Sequence, residues 1–225
     1  AGPEVSVPAT KSFTTQLTIL YLMALFLARK RGRMTSEVTR SYLQRLRRLP
    51  DAIEQQLPAW DALSEEFATV HFKAEKFLYL GRGVHYAIAR EGALKLKEIS
   101  YAHAEGYPAG ELKHGPNALV DEKLPVVVLA TCDHRDPDSV LRYRRTLEVM
   151  KEVRSRRGPL VAVATEGDKE VAEIAEHMFH VPAAPELLLP IVEVIPLQLF
   201  AYHVAVNKGY DVDHPRNLVK AVVTE

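Results

Sequence analysis

Cysteine is almost missing from this chain: Cys132 stands alone among 225 residues. That excludes an internal disulfide and any metal site built on several thiolates. Neither sign of charge prevails, since Lys+Arg and Asp+Glu number 29 each. A phosphate-tracking surface normally shows as a basic excess, so no nucleic-acid partner is expected. Long hydrophobic runs are lacking too. The longest, Ile19–Ala28, falls well short of the roughly 20 residues that cross a bilayer, and no small-residue cleavage pattern marks a signal peptide. No HExxH occurs, and His177 and His180 sit on opposite sides of a predicted strand, so no metal is expected. What remains is 47% apolar and 26% charged, an ordinary globular composition with a cytoplasmic reading and no membrane.

The first part of the chain reads as helices without strands. Ser12–Arg31 is apolar around most of its circumference, with Ser12 or Thr14 to cap it and Gly32 to stop it. Its stripe of Leu17, Leu20, Tyr21, Leu25 and Phe26 is expected to be covered by a second subunit. Ser36–Leu49 is a second, amphipathic helix. Pro50 starts a shorter one, and Pro58 separates that from Trp60–Lys73.

From Lys76 onward strands and helices alternate. Strands are predicted at Lys76–Gly81, Leu124–Ala130, Leu160–Ala164 and Met178–Val181. Helices are predicted at Val84–Ala104, Asp138–Arg157 and Lys169–Glu176, with a last one at Leu187–Lys208 interrupted by Pro190 and Pro196. Gly106–Pro116 reads as a Gly- and Pro-rich loop. Unbroken apolar strands point to a parallel sheet covered on both faces. The fold class is α/β, a doubly wound sheet of four or five strands preceded by a helical segment.

Several motifs have two readings. Gly81-Arg82-Gly83 follows a strand and opens a helix, but a dinucleotide fingerprint needs a third glycine where Tyr86 stands. A tight turn explains it as well. Lys95 and Glu98 share one helix face, either as a solvated ion pair or as chemistry. The loop that follows favours chemistry, because it sets His114 between Gly110 and Pro116, where α/β folds keep working residues. Cys132 reads as an inert thiol at a strand end. The arginines of Arg142–Arg157 read as a solvated face.

The run Glu91–Pro116 (EGALKLKEISYAHAEGYPAGELKHGP), the ending HPRNLVKAVVTE and the start AGPEVSVPATKSFTTQLT together resemble the isomerase half of the glucosamine-6-phosphate synthase family, the isomerising glutamine–fructose-6-phosphate aminotransferases. That half has two sugar-isomerase (SIS) domains, each flavodoxin-like. The resemblance implies that residues 1–65 are the end of the first SIS domain with connecting helices, and 66–225 the second with a C-terminal tail. It implies conversion of fructose 6-phosphate and glutamine-derived ammonia to glucosamine 6-phosphate by a homodimer, with a sugar phosphate as ligand and no cofactor. Glu98 matches the base that moves a proton between C1 and C2. Lys220 matches the lysine that forms a Schiff base with the ketose, and Lys95 a lysine supporting the reacting region. His114 matches the residue that assists ring opening from the neighbouring subunit. Val7 and Val219 match substrate-contacting positions, and Ala9 stands where the family can have a contacting Ser. The family's phosphate-binding loop and glutaminase domain lie upstream of the matched segment. The chain therefore reads as a C-terminal fragment, inactive alone.

Two other readings stand beside this one. A stand-alone SIS-type phosphosugar isomerase or deaminase would never have had a glutaminase. A non-catalytic phosphosugar sensor should carry a DNA-binding module and has no need for Glu98, Lys95 and Lys220 together.

Overall fold

Strands whose apolar residues do not alternate need cover on both faces, and the computed structural model, which describes residues 1–220, contains five. They are β1 (Lys76–Gly81), β2 (His103–Pro108), β3 (Val126–Ala130), β4 (Leu160–Thr165) and β5 (His177–Val181). All pair in parallel in the order β2-β1-β3-β4-β5, the flavodoxin-like order, whose direction of winding reverses between β1 and β3. The expected fold class holds.

Successive residues of each strand feed two cores. Phe77, Tyr79, Val127, Leu129, Val161 and Val163 face α2 (Ser36–His71), α3 (Val84–Ser100) and α6 (Leu189–Asn207). Leu78, Leu80, Val126, Val128 and Ala162 face α4 (Pro137–Ser155) and the 3-10 helix Ala109–His114. The short α5 (Lys169–Ala172) adds Val171 to this second core. Gly92 lets α3 lie close to α6 and the sheet. A Cβ there would stand 2.6 Å from Leu197 Cδ1 and 3.0 Å from the Tyr79 ring.

Three expectations are corrected. The second, third and fourth predicted helices are one 36-residue helix, α2, with Pro50 and Pro58 inside it. Both prolines are exposed, so water can reach the carbonyls they leave unpaired. The opposite stripe of Leu49, Trp60, Phe67 and Ala68 is buried. Packing of that stripe outweighs the roughly 3 kcal/mol cost of each proline. The helix predicted to reach Ala104 ends at Ser100, because Tyr101 takes the left-handed conformation, φ 57°. The residues after it form β2, an edge strand that takes the last two residues of the predicted helix and the first three of the predicted loop. Gly106 is required there, since a Cβ would come within 2.7 Å of Arg90 Cα.

The third correction concerns α1 (Lys11–Lys30). Tyr21 and Leu25 are buried on the core and Leu17 packs against it, so they are not part of an outward stripe. The outward residues are Ile19, Leu20, Met23 and Phe26, each 50–58% exposed. By length and composition α1 and α6 are both apolar enough to cross a membrane. The run counted from sequence, Ile19–Ala28, is only part of α1. In α6 the apolarity is that of a core helix, with Val192, Leu197, Phe200 and Val204 fully buried.

Candidate active site

Glu91, Lys95 and Glu98 fall on one face of α3, at i, i+4 and i+7. Lys95 Nζ lies 2.7 Å from Glu98 Oε2 and 3.4 Å from Glu91 Oε1. The lysine is only 4% exposed, so the solvated ion pair is the wrong reading. A buried ammonium needs such partners, since an unpaired charge in the interior is expensive. Burial also pushes the Glu91 carboxyl above its ordinary range, against the pull of Lys95. Glu98 Oε1 makes no hydrogen bond among the described residues, which leaves an acceptor oxygen on a carboxylate whose other oxygen is fixed.

A second group of predicted residues meets at the chain ends. Lys220 Nζ donates to Glu4 Oε2 at 2.9 Å, to the Ser6 carbonyl at 2.9 Å and to the Val7 carbonyl at 3.3 Å. Glu4 also caps α1, accepting from the Ser12 N–H, the Ser12 hydroxyl and the Thr10 N–H. The expected caps, Ser12 and Thr14, therefore do not use their own side chains to start the helix. Lys220 first, and Ser12 next, hold the Glu4 carboxyl down at about 2. The Val7 N–H donates to Asp213 O, and Ser6 Oγ to Val212 O. Further along the tail, the Arg216 N–H donates to Tyr101 Oη and its guanidinium lies 4.1 Å over the Tyr101 ring. Tyr101 caps α3 three residues after Glu98, so the tail is fastened to the end of the helix that carries the carboxylate. Val219 is exposed and Val7 half-buried. The motif's last residues, 221–225, lie outside the described residues.

His114 is elsewhere. It ends the 3-10 helix Ala109–His114, is exposed, and belongs to a segment packed on the α4 side of the sheet through Leu112. Lys113 beside it pairs with Glu152 of α4 at 3.3 Å. Within one chain the structure does not bring His114 to Lys95 and Glu98, which are on the other face.

Sequence reasoning missed a third cluster, located where the winding reverses between β1 and β3. His85, in the first turn of α3, is fully buried, with Nδ1 2.7 Å from Glu193 Oε1 and Nε2 2.9 Å from Glu186 Oε1. Thr131 Oγ1 donates to Glu193, and Ser139 Oγ to Glu186 at 2.6 Å. Arg142 closes the ring, 2.7 and 3.0 Å from the two Glu186 oxygens. Arg142 is thus largely sheltered and paired, not part of a solvated face. Carboxylates only accept, so both imidazole nitrogens must carry a proton, and His85 is an imidazolium. Burial pulls its pKa down, but the charge of Glu193 and the bonds to both carboxylates raise it to about 9. Glu186, hydrogen-bonded to His85 and Arg142, is lowered to about 2 despite its burial. One signal was available: Glu193 is the single carboxylate in the apolar run LPIVEVIPLQLF.

The other motifs resolve blandly. Gly83 has φ 57° and Gly81 leaves no room for a Cβ beside the His85 carbonyl, 2.4 Å away, so the glycines serve the turn. Cys132 is buried, and burial raises its thiol. Among the described residues no group of His, Cys, Asp and Glu could hold a metal.

Comparison with known proteins agrees with this geometry. The SIS domain family model matches residues 72–208, more than half of the chain. A glutamine–fructose-6-phosphate aminotransferase [isomerizing] from Thermus thermophilus is 50% identical over 225 residues, all of this chain and 36% of that protein. The protein of the same name from Chlorobaculum tepidum is 47% identical, over all of this chain and 35% of its own length. The chain thus spans about a third of the length of these relatives. The solved C-terminal domain of glucosamine-fructose-6-phosphate aminotransferase from Francisella tularensis superposes with a TM-score of 0.84 at 39% identity, covering 95% of this chain and 58% of that one. A glucosamine-6-phosphate deaminase from Thermotoga maritima shares the fold, with TM-score 0.65 at 22% identity over 99% of this chain and 59% of that one. Five parallel strands in flavodoxin-like order, flanked by helices and matched by the family model over most of their length, make this chain a member of the SIS domain family.

Proposed function

We propose that this chain is the second sugar-isomerase unit of an enzyme that converts fructose 6-phosphate and glutamine-derived ammonia to glucosamine 6-phosphate. The observation that carries this reading is the Lys95–Glu98 pair, 2.7 Å apart and sheltered, on the helix whose C-cap anchors the lysine-bearing tail. An amine shift from ketose to aldose needs one base that reaches two adjacent carbons, and a carboxylate with one fixed and one open oxygen suits that task. Lys220 adds to the C2 carbonyl with loss of water, and ammonia displaces it. The resulting imine makes the C1 proton more acidic, and Glu98 takes that proton and returns it at C2. Lys95 keeps the carboxylate aimed. Val7 and Val219 line the sugar, because the Lys220 bonds hold the tail against the segment that carries Val7.

The test is hydrogen exchange by the full-length enzyme in deuterium oxide. Incubation with fructose 6-phosphate should introduce deuterium at C1, read by NMR. Turnover in which the C1 hydrogen is neither exchanged with solvent nor delivered to C2, and equally the absence of both turnover and exchange, would count against an enolising base.

His114, on the opposite face of the sheet from Glu98, fits a role in a neighbouring subunit's site. On this reading residues 1–65 close a preceding SIS unit and 66–225 form the second, the division falling within α2. A homodimer is part of the same proposal, and the outward apolar face of α1 supports contact with further protein. Light scattering at micromolar concentration is expected to give twice the chain mass, and replacing Met23 and Phe26 by Asp should shift it to one. A clean monomer in the parent would remove the dimer and the shared role of His114 together.

A further inference from the structure

Among the described residues five arginines have found carboxylates: Arg142, Arg145, Arg154, Arg156 and Arg157. Three others stand around one cavity without any. Arg45 and Arg48 of α2, three apart and so on one helix face, line a cavity of about 410 Å³ together with Arg135 and His134 from the loop after β3. None of the three arginines forms an ion pair among the described residues. Among the described residues Asp133 is the one acidic residue on the lining, and its Oδ1 accepts the Arg135 N–H at 3.1 Å. Nearby Glu186 is committed to His85, Ser139 and Arg142. The remaining wall is apolar, made by Leu49, Leu188 and the run Pro182–Pro185 that follows β5. The cavity lies beyond the C-terminal ends of β3 and β5, the edge where doubly wound folds bind ligands, and its size suits a small molecule.

We propose that this cavity is an anion site, separate from Glu98 and Lys220, that takes the phosphate group of a small phosphorylated molecule. Guanidinium groups hold phosphate by paired N–H donors, and two or three of them balance a dianion. The apolar wall offers a surface for an uncharged body attached to it. Inorganic phosphate presents the same charged group without the body, so the two sources are separable by experiment.

The experiment is an amide NMR titration of the full chain with glucose 6-phosphate, inorganic phosphate and glucose. Saturable shifts at Arg135, Ala183 and Ala184 are expected with both phosphates and none with glucose. Tighter binding of the sugar phosphate assigns the apolar wall to the sugar, whereas equal affinity assigns the site to phosphate alone. Arg48→Ala and Arg135→Ala should each weaken binding roughly tenfold or more, as expected for hydrogen bonds to a charged group. Both sites are exposed, so the fold should survive, and unchanged spectra of the free variants would verify that. Shifts confined to the residues around Glu98 and Lys220, no saturable shifts, or unaltered affinity in both variants would overturn the proposal. None of these results depends on the activity of the longer enzyme.

Discussion

Replacing Glu98 by Gln in the full-length enzyme is expected to lower sugar isomerisation by roughly 10²–10⁴-fold, the usual contribution of a positioned general base. The amide keeps the size of the side chain and can still meet Lys95 Nζ through its oxygen, so the fold and substrate affinity should change little. Deuterium exchange at C1 should fall by the same factor, while glutamine hydrolysis, which needs no proton from C1, should continue. A KM near that of the parent with a collapsed kcat would show that the missing group acts on the reacting carbon. Undiminished exchange in the variant would remove Glu98 from its role.

The second large effect concerns stability. His85 and Glu193 are both fully buried and in contact, so removing the His85 charge strands Glu193, and removing Glu193 leaves the buried imidazolium to Glu186 alone. His85→Gln and Glu193→Gln are each expected to cost about 3–5 kcal/mol, a fall in Tm of roughly 6–20 °C for a domain of this size. The double variant should lose less than the sum, because it leaves no unpaired charge. The pH dependence has a definite sign. The folded value of His85, about 9, lies above its ordinary 6.5, so its contribution is complete below pH 6.5 and fades as pH rises through 9. Glu186 acts oppositely: its folded value of about 2 lies below 4.5, so its contribution is complete above pH 4.5 and fades as pH falls through 2. Melting curves should therefore be highest between these limits and decline towards pH 9. In His85→Gln the alkaline decline should flatten. A parent Tm indifferent to pH between about 7 and 9.5 would contradict the imidazolium.

The sheet was legible because VVVLA and LVAVAT carry almost no polar residue to face water, which left parallel strands between two layers as the natural solution. β2 was not legible, because HAEGYP is a half-exposed edge strand whose first residues continue the helical pattern of α3 and whose glycine and proline read as a loop. Nothing in the residue type of Tyr101 announced that it would end α3. The prolines of α2 misled because their local cost is visible in sequence, whereas the stripe that offsets it appears only when α6 is alongside. The candidate site was suggested by its parts: Lys95 and Glu98 by helical spacing, His114 by its loop, and Lys220 by resemblance. Its third dimension was not. Spacing could not say that Lys95 is buried, that Glu4 would hold Lys220, or that His114 would sit across the sheet. The network around His85 draws on residues from the end of β3, from α3, α4 and α6, and from the loop before α6, and no local pattern links them.

The most direct test of the account is to trap the ketose on the enzyme. The full-length protein, incubated with fructose 6-phosphate and reduced with borohydride, should yield one peptide heavier by the reduced sugar phosphate. Mass spectrometry should place the addition on Lys220, and Lys220→Arg should give no adduct, since a guanidinium keeps the charge opposite Glu4 and forms no imine. An adduct on Lys95, or an undiminished yield in the Lys220→Arg variant, would contradict the assignment of the tail to the active site.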